Sequence, residues 1–144
     1  TVSLQVAVDD GGMGHAQLAL PDRSRAGHFP HWTRGYRSGA LGRGQGETSI
    51  DPPNSTLYPR AKNVRQYKVC PKSRDRLKES IDDHMNDEFD GTNIGARNCV
   101  GWACQRLKDT GLIPPKDPVI PLLTPFDLTD PGLFPSGVKP VFFW

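Results

Sequence analysis

The fold is decided at the start of the chain, where residues 1–20 are TVSLQVAVDDGGMGHAQLAL. Apolar residues alternate with polar or small ones over residues 2–8, which is the two-residue period of a half-buried strand. An Asp-Asp-Gly-Gly turn follows, and residues 15–20 alternate again. The stretch therefore predicts an antiparallel pair of strands, with His15 and Gln17 on the face opposite the apolar one.

Beyond this pair, the apolar pattern predicts one more strand and two helices. The third strand is expected at residues 64–69. The first helix is expected to begin at its cap, Ser73, and to run to about Asn86. The second is expected from near Asn98 to Gly111. These elements indicate an α+β fold, in which a small antiparallel sheet packs against a helix.

Two long segments lack such periodicity. Residues 23–59 are rich in arginine and glycine, and we expect them to form a long functional loop. Residues 113–144 are rich in proline, so we expect an extended tail without helix that wraps the domain. Both segments are expected to belong to the same domain as the sheet.

The composition limits the class of protein. With 144 residues, 35% hydrophobic and 24% charged, we expect a single domain over residues 1–144. No stretch is apolar enough to predict a transmembrane helix. The chain begins at Thr1 without signal-peptide features, so we expect either a domain delivered as part of a larger protein or a processed product.

Charge is unevenly distributed along the chain. Residues 1–78 hold 13 basic and 6 acidic side chains, and residues 79–144 hold 5 and 10. Arg34, Arg37 and Arg43 lie in the predicted loop and are expected to meet an anionic partner. The alternative is that the arginines of this loop pair with the acidic second half of the chain.

Three cysteines offer one candidate nucleophile. Cys99 falls in the first turn of the second predicted helix, where unpaired N–H groups and the helix dipole stabilise a thiolate. The alternative is that Cys99 is a small buried core residue. We expect Cys70 and Cys104 to be structural, and a disulfide between these two is left open.

A cysteine nucleophile needs a base, which is normally a histidine held by a third polar group. His15 is the best candidate because it lies on a predicted strand, away from the apolar face. His28, thirteen residues later, is the first candidate for the orienting group, and His31 and Gln17 remain open. His84 lies on a charged helix and is expected at the surface.

Two short motifs carry a resemblance to a known family. Residues 98–102 are Asn-Cys-Val-Gly-Trp, and the same predicted helix ends in Gly-Leu-Ile-Pro at residues 111–114. Near the N-terminus, residues 14–16 are Gly-His-Ala. Together they resemble the nucleophile helix and the preceding histidine strand of circularly permuted papain-like hydrolases. That group includes NlpC-like amidases, deubiquitinating-type isopeptidases and lecithin:retinol acyltransferase-like enzymes.

The resemblance implies a papain-like core in permuted order, with Cys99 as nucleophile and His15 as base. His28 follows His15 at about the interval of a second histidine in the acyltransferase-like branch. The motifs cover only the two ends of residues 14–114, and the arginine-rich middle matches no pattern of the family. Substrate class is therefore open at this stage.

The resemblance implies a cysteine hydrolase that acts through a thioester. We expect an antibacterial secretion effector, an amidase or peptidase that cleaves peptidoglycan peptides in the periplasm of a target cell, with an immunity protein as partner. Its substrate is expected to contact five side chains besides the catalytic ones, namely Asn98, Trp102, Trp32, Arg34 and Arg37.

Other functions remain open. The acyltransferase-like branch implies a phospholipid acyl hydrolase or acyltransferase, which the aromatic residues of the loop would help to approach a lipid. A different class is a non-catalytic or nucleic-acid-binding module that uses the arginine-rich loop, although a net charge of +2 is weak for that purpose. The cysteines lack zinc-site spacing and the histidines form no HExxH motif, so we expect no metal and no cofactor.

Overall fold

A computed structural model describes the chain over five stretches, residues 1–7, 14–31, 43–54, 61–121 and 123–129. The secondary structure of these stretches is, in chain order, β1 (Val2–Ala7), β2 (His15–Ala19), β3 (Arg25–Pro30), β4 (Arg43–Gly44), β5 (Gly46–Asp51), β6 (Lys62–Tyr67), α1 (Pro71–Asp83), β7 (Phe89–Asp90), α2 (Cys99–Asp109) and α3 (Pro125–Thr129). No helix among these stretches is both long and apolar enough to cross a membrane. The fold is α+β, as predicted.

One five-stranded sheet organises the core. Its strands lie in the order β5-β3-β2-β1-β6, and every neighbouring pair is antiparallel. Leu4 of β1 is opposite Leu18 of β2, and Leu18 is opposite Ala26 of β3. These three side chains are fully buried in one apolar cluster with residues of α1 and α2. The strand pair predicted from residues 1–20 is confirmed, while its turn lies outside the described residues.

The predicted loop at residues 23–59 is wrong in part, because its described residues contain three strands. β3 and β5 pair along six residues each and form one edge of the sheet, and β4 pairs with β7 in a separate two-stranded sheet. The sequence of β5, Gly-Glu-Thr-Ser-Ile-Asp, has no apolar alternation. It is a strand because β3 offers it a row of backbone hydrogen-bonding groups, and pairing of this kind leaves no periodic signal.

The boundaries of α1 and β6 differ from the prediction. The structure ends β6 at Tyr67, and α1 begins at Pro71 with Cys70 as its N-cap in place of Ser73. Proline suits the first position of a helix because the N–H that it lacks would have no partner there. Leu77 and Ile81 are the buried face of α1, as the apolar stripe predicts.

Helix α2 is the central helix of the core. Eight of its 11 residues are buried, and it packs against β2, β3 and α1. Asn98 is its N-cap and accepts a hydrogen bond from the N–H of Gly101 at 2.7 Å. The helix therefore begins where the sequence predicts, and Thr110 ends it one residue before Gly111.

Two buried asparagines attach the following segment to the start of α2. Asn93 donates to the carbonyl oxygens of Pro118 and Ile120 at 3.1 and 2.7 Å, and Asn98 donates to that of Leu123 at 2.8 Å. The short helix α3 follows, which corrects the prediction that the tail contains no helix. Its proline is at the first helical position, where the missing N–H costs no hydrogen bond. Residues 130–144 lie outside the described residues.

The packing of Gly101 yields a prediction about stability. A glycine in an exposed helix is less stable than alanine by about 0.5–1 kcal/mol. At Gly101 a Cβ would overlap Asn93 Oδ1 and lie 2.8 Å from Ala96 Cα. We therefore expect Gly101→Ala to lower the free energy of unfolding by about 1–3 kcal/mol, measured by urea denaturation.

The exposed Lys108 on the same helix offers a control. Lys108→Ala should change the free energy of unfolding by less than about 0.5 kcal/mol. An increase in stability for Gly101→Ala would show that Asn93 does not pack against α2 in this way.

Candidate active site

Cys99 is the first residue of α2 and is 3% exposed. Three backbone N–H groups approach its sulfur, those of Ala16, Val100 and Cys99 itself. Two of them belong to the first turn of the helix, where N–H groups lack helical partners. The third comes from β2. The predicted position of Cys99 at the start of a helix is confirmed.

Burial nevertheless dominates the acidity of Cys99. Removal from water raises the pKa of its thiol from 9.0 to about 12, and the three N–H groups reduce this rise without reversing it. In this arrangement the side chain is a neutral thiol. The thiolate expected from the helix dipole is therefore not the resting form in the described geometry.

His15 is the first residue of β2, and its side chain lies on the face of the sheet opposite α2. Its ring stacks on that of Phe29 with the centroids 4.3 Å apart. It also covers Gly27, where an added Cβ would lie 2.5 Å from Nε2. Burial lowers the pKa of His15 from 6.5 to about 3, so the imidazole is neutral at physiological pH.

The backbone of β2 connects the two candidate residues. The N–H that approaches the Cys99 sulfur belongs to the peptide bond between His15 and Ala16. The sulfur therefore lies close to the backbone that immediately follows His15. The backbones of the two elements therefore meet here, while the imidazole of His15 lies on the opposite face of the sheet, against Phe29 and Gly27.

His28 lies on the other face of the sheet. It is fully buried, and its ring stacks on Trp102 of α2 at a centroid distance of 5.3 Å. Its Nδ1 is 3.0 Å from Thr48 Oγ1 and its Nε2 is 2.9 Å from the carbonyl oxygen of Asp87. Burial lowers the pKa of His28 to about 4. The described geometry therefore engages both ring nitrogens away from His15.

Gln17 shares the face of β2 that carries His15. It donates to Gln5 Oε1 at 3.0 Å, and Gln5 donates to Asn63 Oδ1 at the same distance. This chain of amides crosses three strands beside the histidine. His31, the third candidate for the orienting group, is half-buried at the end of β3 and lies 3.9 Å from a carboxylate oxygen of Glu47. Of the three candidates, Gln17 is nearest to His15 along β2.

Two of the five predicted substrate-binding residues lie in the described part of the chain, and both are buried. Asn98 is fully buried and uses its side-chain oxygen and nitrogen to cap α2 and to hold Leu123. Trp102 is 1% exposed and donates from Nε1 to the carbonyl oxygen of His84 at 3.1 Å. Both therefore have structural contacts in the described geometry. Three further predicted residues, Trp32, Arg34 and Arg37, lie outside the described residues.

Arg43 illustrates the alternative interpretation of the basic segment. Its Nε is 3.3 Å from a carboxylate oxygen of Glu88 and 3.4 Å from one of Asp90. Both acidic residues belong to the second half of the chain. For this arginine, pairing within the protein is what the structure describes.

The cysteines other than Cys99 correct one expectation. All three cysteines are free thiols, so Cys70 and Cys104 form no disulfide. Cys104 is buried, and burial raises the pKa of its thiol to about 12. Cys70 is exposed at the N-cap of α1, and the Ser73 side chain and N–H lower the pKa of its thiol. Cys70 is therefore an exposed thiol whose structural role is to cap α1.

Sequence reasoning missed two residues near this site. Asn93 has a positive φ of 58° and holds both the start of α2 and the segment at residues 118–120. Its position after an Asp-Gly-Thr turn is a weak signal of such a role. The contact of the Ala16 N–H with Cys99 could not be predicted from the sequence, because a backbone contact depends on where the strand lies and not on the type of residue.

No family model, curated protein or solved structure matches the chain. Within the part of the chain that the structure describes, no group of three or more His, Cys, Asp or Glu side chains is arranged to hold a metal ion.

Thiol labelling should identify Cys70 as the fastest thiol of the native protein. Its exposure and lowered pKa favour the thiolate, whereas burial keeps Cys99 and Cys104 protonated. We expect alkylation of Cys70 by iodoacetamide to be roughly 100-fold faster than that of the other two, read by peptide mass spectrometry.

Two variants check this assignment. Cys70→Ser should remove the fast phase, and Ser73→Ala should move the pH–rate profile of Cys70 to higher pH because the Ser73 side chain contributes most to its acidity. A fast phase that survives in Cys70→Ser would contradict the burial of Cys99 and Cys104.

The two buried histidines predict sensitivity to acid. Their pKa values fall from 6.5 to about 3 for His15 and about 4 for His28, so the unfolded chain binds more protons than the native state below pH 6.5. Their contribution to stability is therefore complete above pH 6.5 and is lost as pH falls toward 4. Each histidine should add a slope approaching about 1.4 kcal/mol per pH unit.

The measurement is the free energy of unfolding in urea at several pH values between 6.5 and 5. His28→Asn should roughly halve the slope, whatever its effect on stability at pH 7. A pH-independent free energy over this range would show that both rings are accessible to protons in the native state.

Proposed function

We propose that the protein is a cysteine hydrolase in which Cys99 is the nucleophile and His15 the general base. The observation that carries this proposal is the N–H of Ala16, which approaches the Cys99 sulfur and belongs to the peptide bond that follows His15. The strand that begins with the histidine thus borders the first turn of the helix that begins with the cysteine. The imidazole of His15 lies on the face of the sheet opposite α2, so the proposed reaction requires a rearrangement that brings its ring to the sulfur.

The architecture supports a papain-like core in permuted order. In that order a histidine strand precedes a cysteine helix, and the helix packs on an antiparallel sheet. Here β2 begins with His15, α2 begins with Cys99, and the two elements are in contact. This support is at the level of element order and packing.

In the proposed reaction the Cys99 sulfur attacks a carbonyl carbon while the His15 imidazole takes the thiol proton. The C–S bond forms, and the carbonyl oxygen becomes an oxyanion that nearby N–H groups stabilise. Collapse breaks the C–N bond, and the imidazolium returns the proton to the leaving amine. Water, deprotonated by His15, then cleaves the thioester and releases a carboxylic acid and the free thiol.

The protonation states favour general-base catalysis over a preformed ion pair. Burial raises the pKa of Cys99 to about 12 and lowers that of His15 to about 3, so thiol and imidazole are both neutral. The proton is then transferred during the attack. This form of activation needs a close approach of the imidazole and the sulfur in the substrate complex.

A substrate also needs access to these buried groups. The segment at residues 123–125 borders both of them, because Asn98 holds Leu123 and the side chain of Pro125 would lie 3.3 Å from a Cβ at Gly14. Asn98 directly precedes Cys99, and Gly14 directly precedes His15. We therefore propose that substrate approaches where this segment crosses the start of α2.

The substrate proposed is a peptide of the bacterial cell wall, cleaved by an effector that acts in the target-cell periplasm and is neutralised by an immunity protein. The resemblance to permuted NlpC-like amidases supports this choice. A phospholipid ester is the alternative within the same chemistry, since a thioester forms from either bond. Release of new amines from purified peptidoglycan, set against release of fatty acid from anionic vesicles, separates the two.

Matched cysteine variants test the enzyme proposal. Cys99→Ala should lower kcat/KM by at least about a thousandfold, because the covalent step is lost. Cys104→Ala makes the same change at another buried position of α2 and should retain activity within about threefold. Urea denaturation of both variants shows whether any loss of activity is a loss of folding.

His15→Asn completes the test. It should lower kcat by roughly a hundredfold or more, with a smaller effect on KM, since the base acts in the chemical step. Full activity of Cys99→Ala on peptidoglycan would refute the proposal outright. Activity that depends on Cys99 but not on His15 would leave a cysteine enzyme with another base.

A further inference from the structure

A second candidate site lies beside α2, away from Cys99. It is a cleft of about 550 Å³ between the end of α1, residues 87–97 and the second half of α2. A cleft of this size is within the range of small-molecule and peptide sites. Arg106 lines this cleft although its side chain is almost fully buried, which is unusual for an arginine.

Arg106 has hydrogen-bonding groups that the described residues leave unused. The residue is 3% exposed, and its guanidinium lies over the ring of Trp102 at 5.5 Å. Nη2 donates to Asp109 at 3.2 Å, and Nη1 is 3.8 Å from Asp87, too far for a hydrogen bond. Among the described residues, Nε and Nη1 have no hydrogen-bond partner. Buried guanidinium donors rarely lack a hydrogen-bond acceptor, because each unsatisfied donor costs free energy.

The carboxylates around the cleft each have a partner and, being partly exposed, keep further acceptor capacity at the rim. Asp87 accepts from His84 at 2.7 Å and Asp109 accepts from Gln105 at the same distance. Glu88 is 3.3 Å from Arg97. The buried groups of the cleft that remain without a hydrogen bond are therefore the Nε and Nη1 donors of Arg106. A ligand in the cleft would have to supply an acceptor for them.

The charges decide which acceptor fits. The two arginines lining the cleft face three carboxylates, those of Asp87, Glu88 and Asp109. A phosphate or carboxylate ligand would add a further negative charge to this group and be repelled at short range. An uncharged oxygen avoids that repulsion, and a ligand N–H finds carboxylate acceptors at the half-exposed rim. An amide supplies both groups.

We propose that this cleft binds an uncharged amide, whose carbonyl oxygen accepts from Nε or Nη1 of Arg106 and whose N–H faces a rim carboxylate. A peptide bond and the acetamido group of an N-acetylated sugar share this chemistry. Arg106 follows Cys99 by seven residues on the same helix, roughly 10 Å along its axis. The inference goes beyond the proposed hydrolase and does not require Cys99 to be catalytic.

The experiment is an NMR titration that observes the Nε–Hε resonance of Arg106 in the full chain. The probes are N-acetylalanine methylamide and N-acetylglucosamine, with acetate and inorganic phosphate as anionic comparators. We expect a saturable shift with at least one amide probe, and the stronger of the two identifies the source. Saturation by the anions alone, or no saturable shift with any probe, would overturn the proposal.

Variants show whether the probe is bound in the cleft. Arg106→Lys removes the guanidinium and should weaken binding at least tenfold. Because this buried change can destabilise the fold, Gln105→Trp provides a second variant that fills the cleft from its partly exposed wall and should weaken binding by a similar factor. Arg65→Lys, an exposed arginine on β6, is the matched control and should bind normally.

Repeating the titration in Cys99→Ala separates the two proposals. Unchanged binding in that variant, whatever its activity, supports a site independent of the hydrolase chemistry. Loss of binding in a folded Cys99→Ala protein would show that the probes bind at Cys99, which would overturn the assignment to Arg106.

Discussion

The side chain of Asn98 is the contact on which most of the described site depends. Its oxygen accepts the N–H of Gly101 and so starts α2 at Cys99, and its nitrogen holds the carbonyl of Leu123. One buried amide thus sets where the helix begins and which segment lies over it. Asn93 repeats the arrangement with Pro118 and Ile120, and Gly101 leaves the space that it needs. A substitution at Asn98 would therefore affect the position of Cys99 and that of the segment at Leu123 together.

Burial and catalytic chemistry oppose one another at this place. The N–H groups around the Cys99 sulfur would stabilise a thiolate in a wetter site, yet desolvation outweighs them and raises the pKa of the thiol to about 12. The same desolvation keeps His15 neutral. The described conformation therefore holds an uncharged pair, which suits a resting state better than a reacting one. The proposed hydrolase reaction requires substrate binding to change the surroundings of both groups.

Helix α2 connects this pair with the rest of the protein. Trp102 lies between the ring of His28 at 5.3 Å and the guanidinium of Arg106 at 5.5 Å, so the sheet, the helix and the cleft share one set of contacts. His28 adds the carbonyl of Asp87, the residue whose side chain approaches Arg106. His28 and Arg106, which are nearly eighty positions apart in the sequence, are thereby connected through Trp102 and Asp87.

Elements whose signal is local can be predicted from the amino-acid sequence. Alternation at residues 2–8 and 15–20 predicts β1 and β2, the apolar stripe of Leu77 and Ile81 predicts α1, and Asn98 predicts the start of α2, because periodicity and capping act within a few residues. The strands inside residues 23–59 become evident only in the packed chain, since β5 is a polar strand formed through its pairing with β3. The packed chain also determines that His28 faces α2 while His15 faces away. At Cys99, burial raises the pKa of the thiol by more than the N–H groups at the start of the helix lower it. Sheet register and desolvation are properties of the packed chain, and no short stretch of residues contains them.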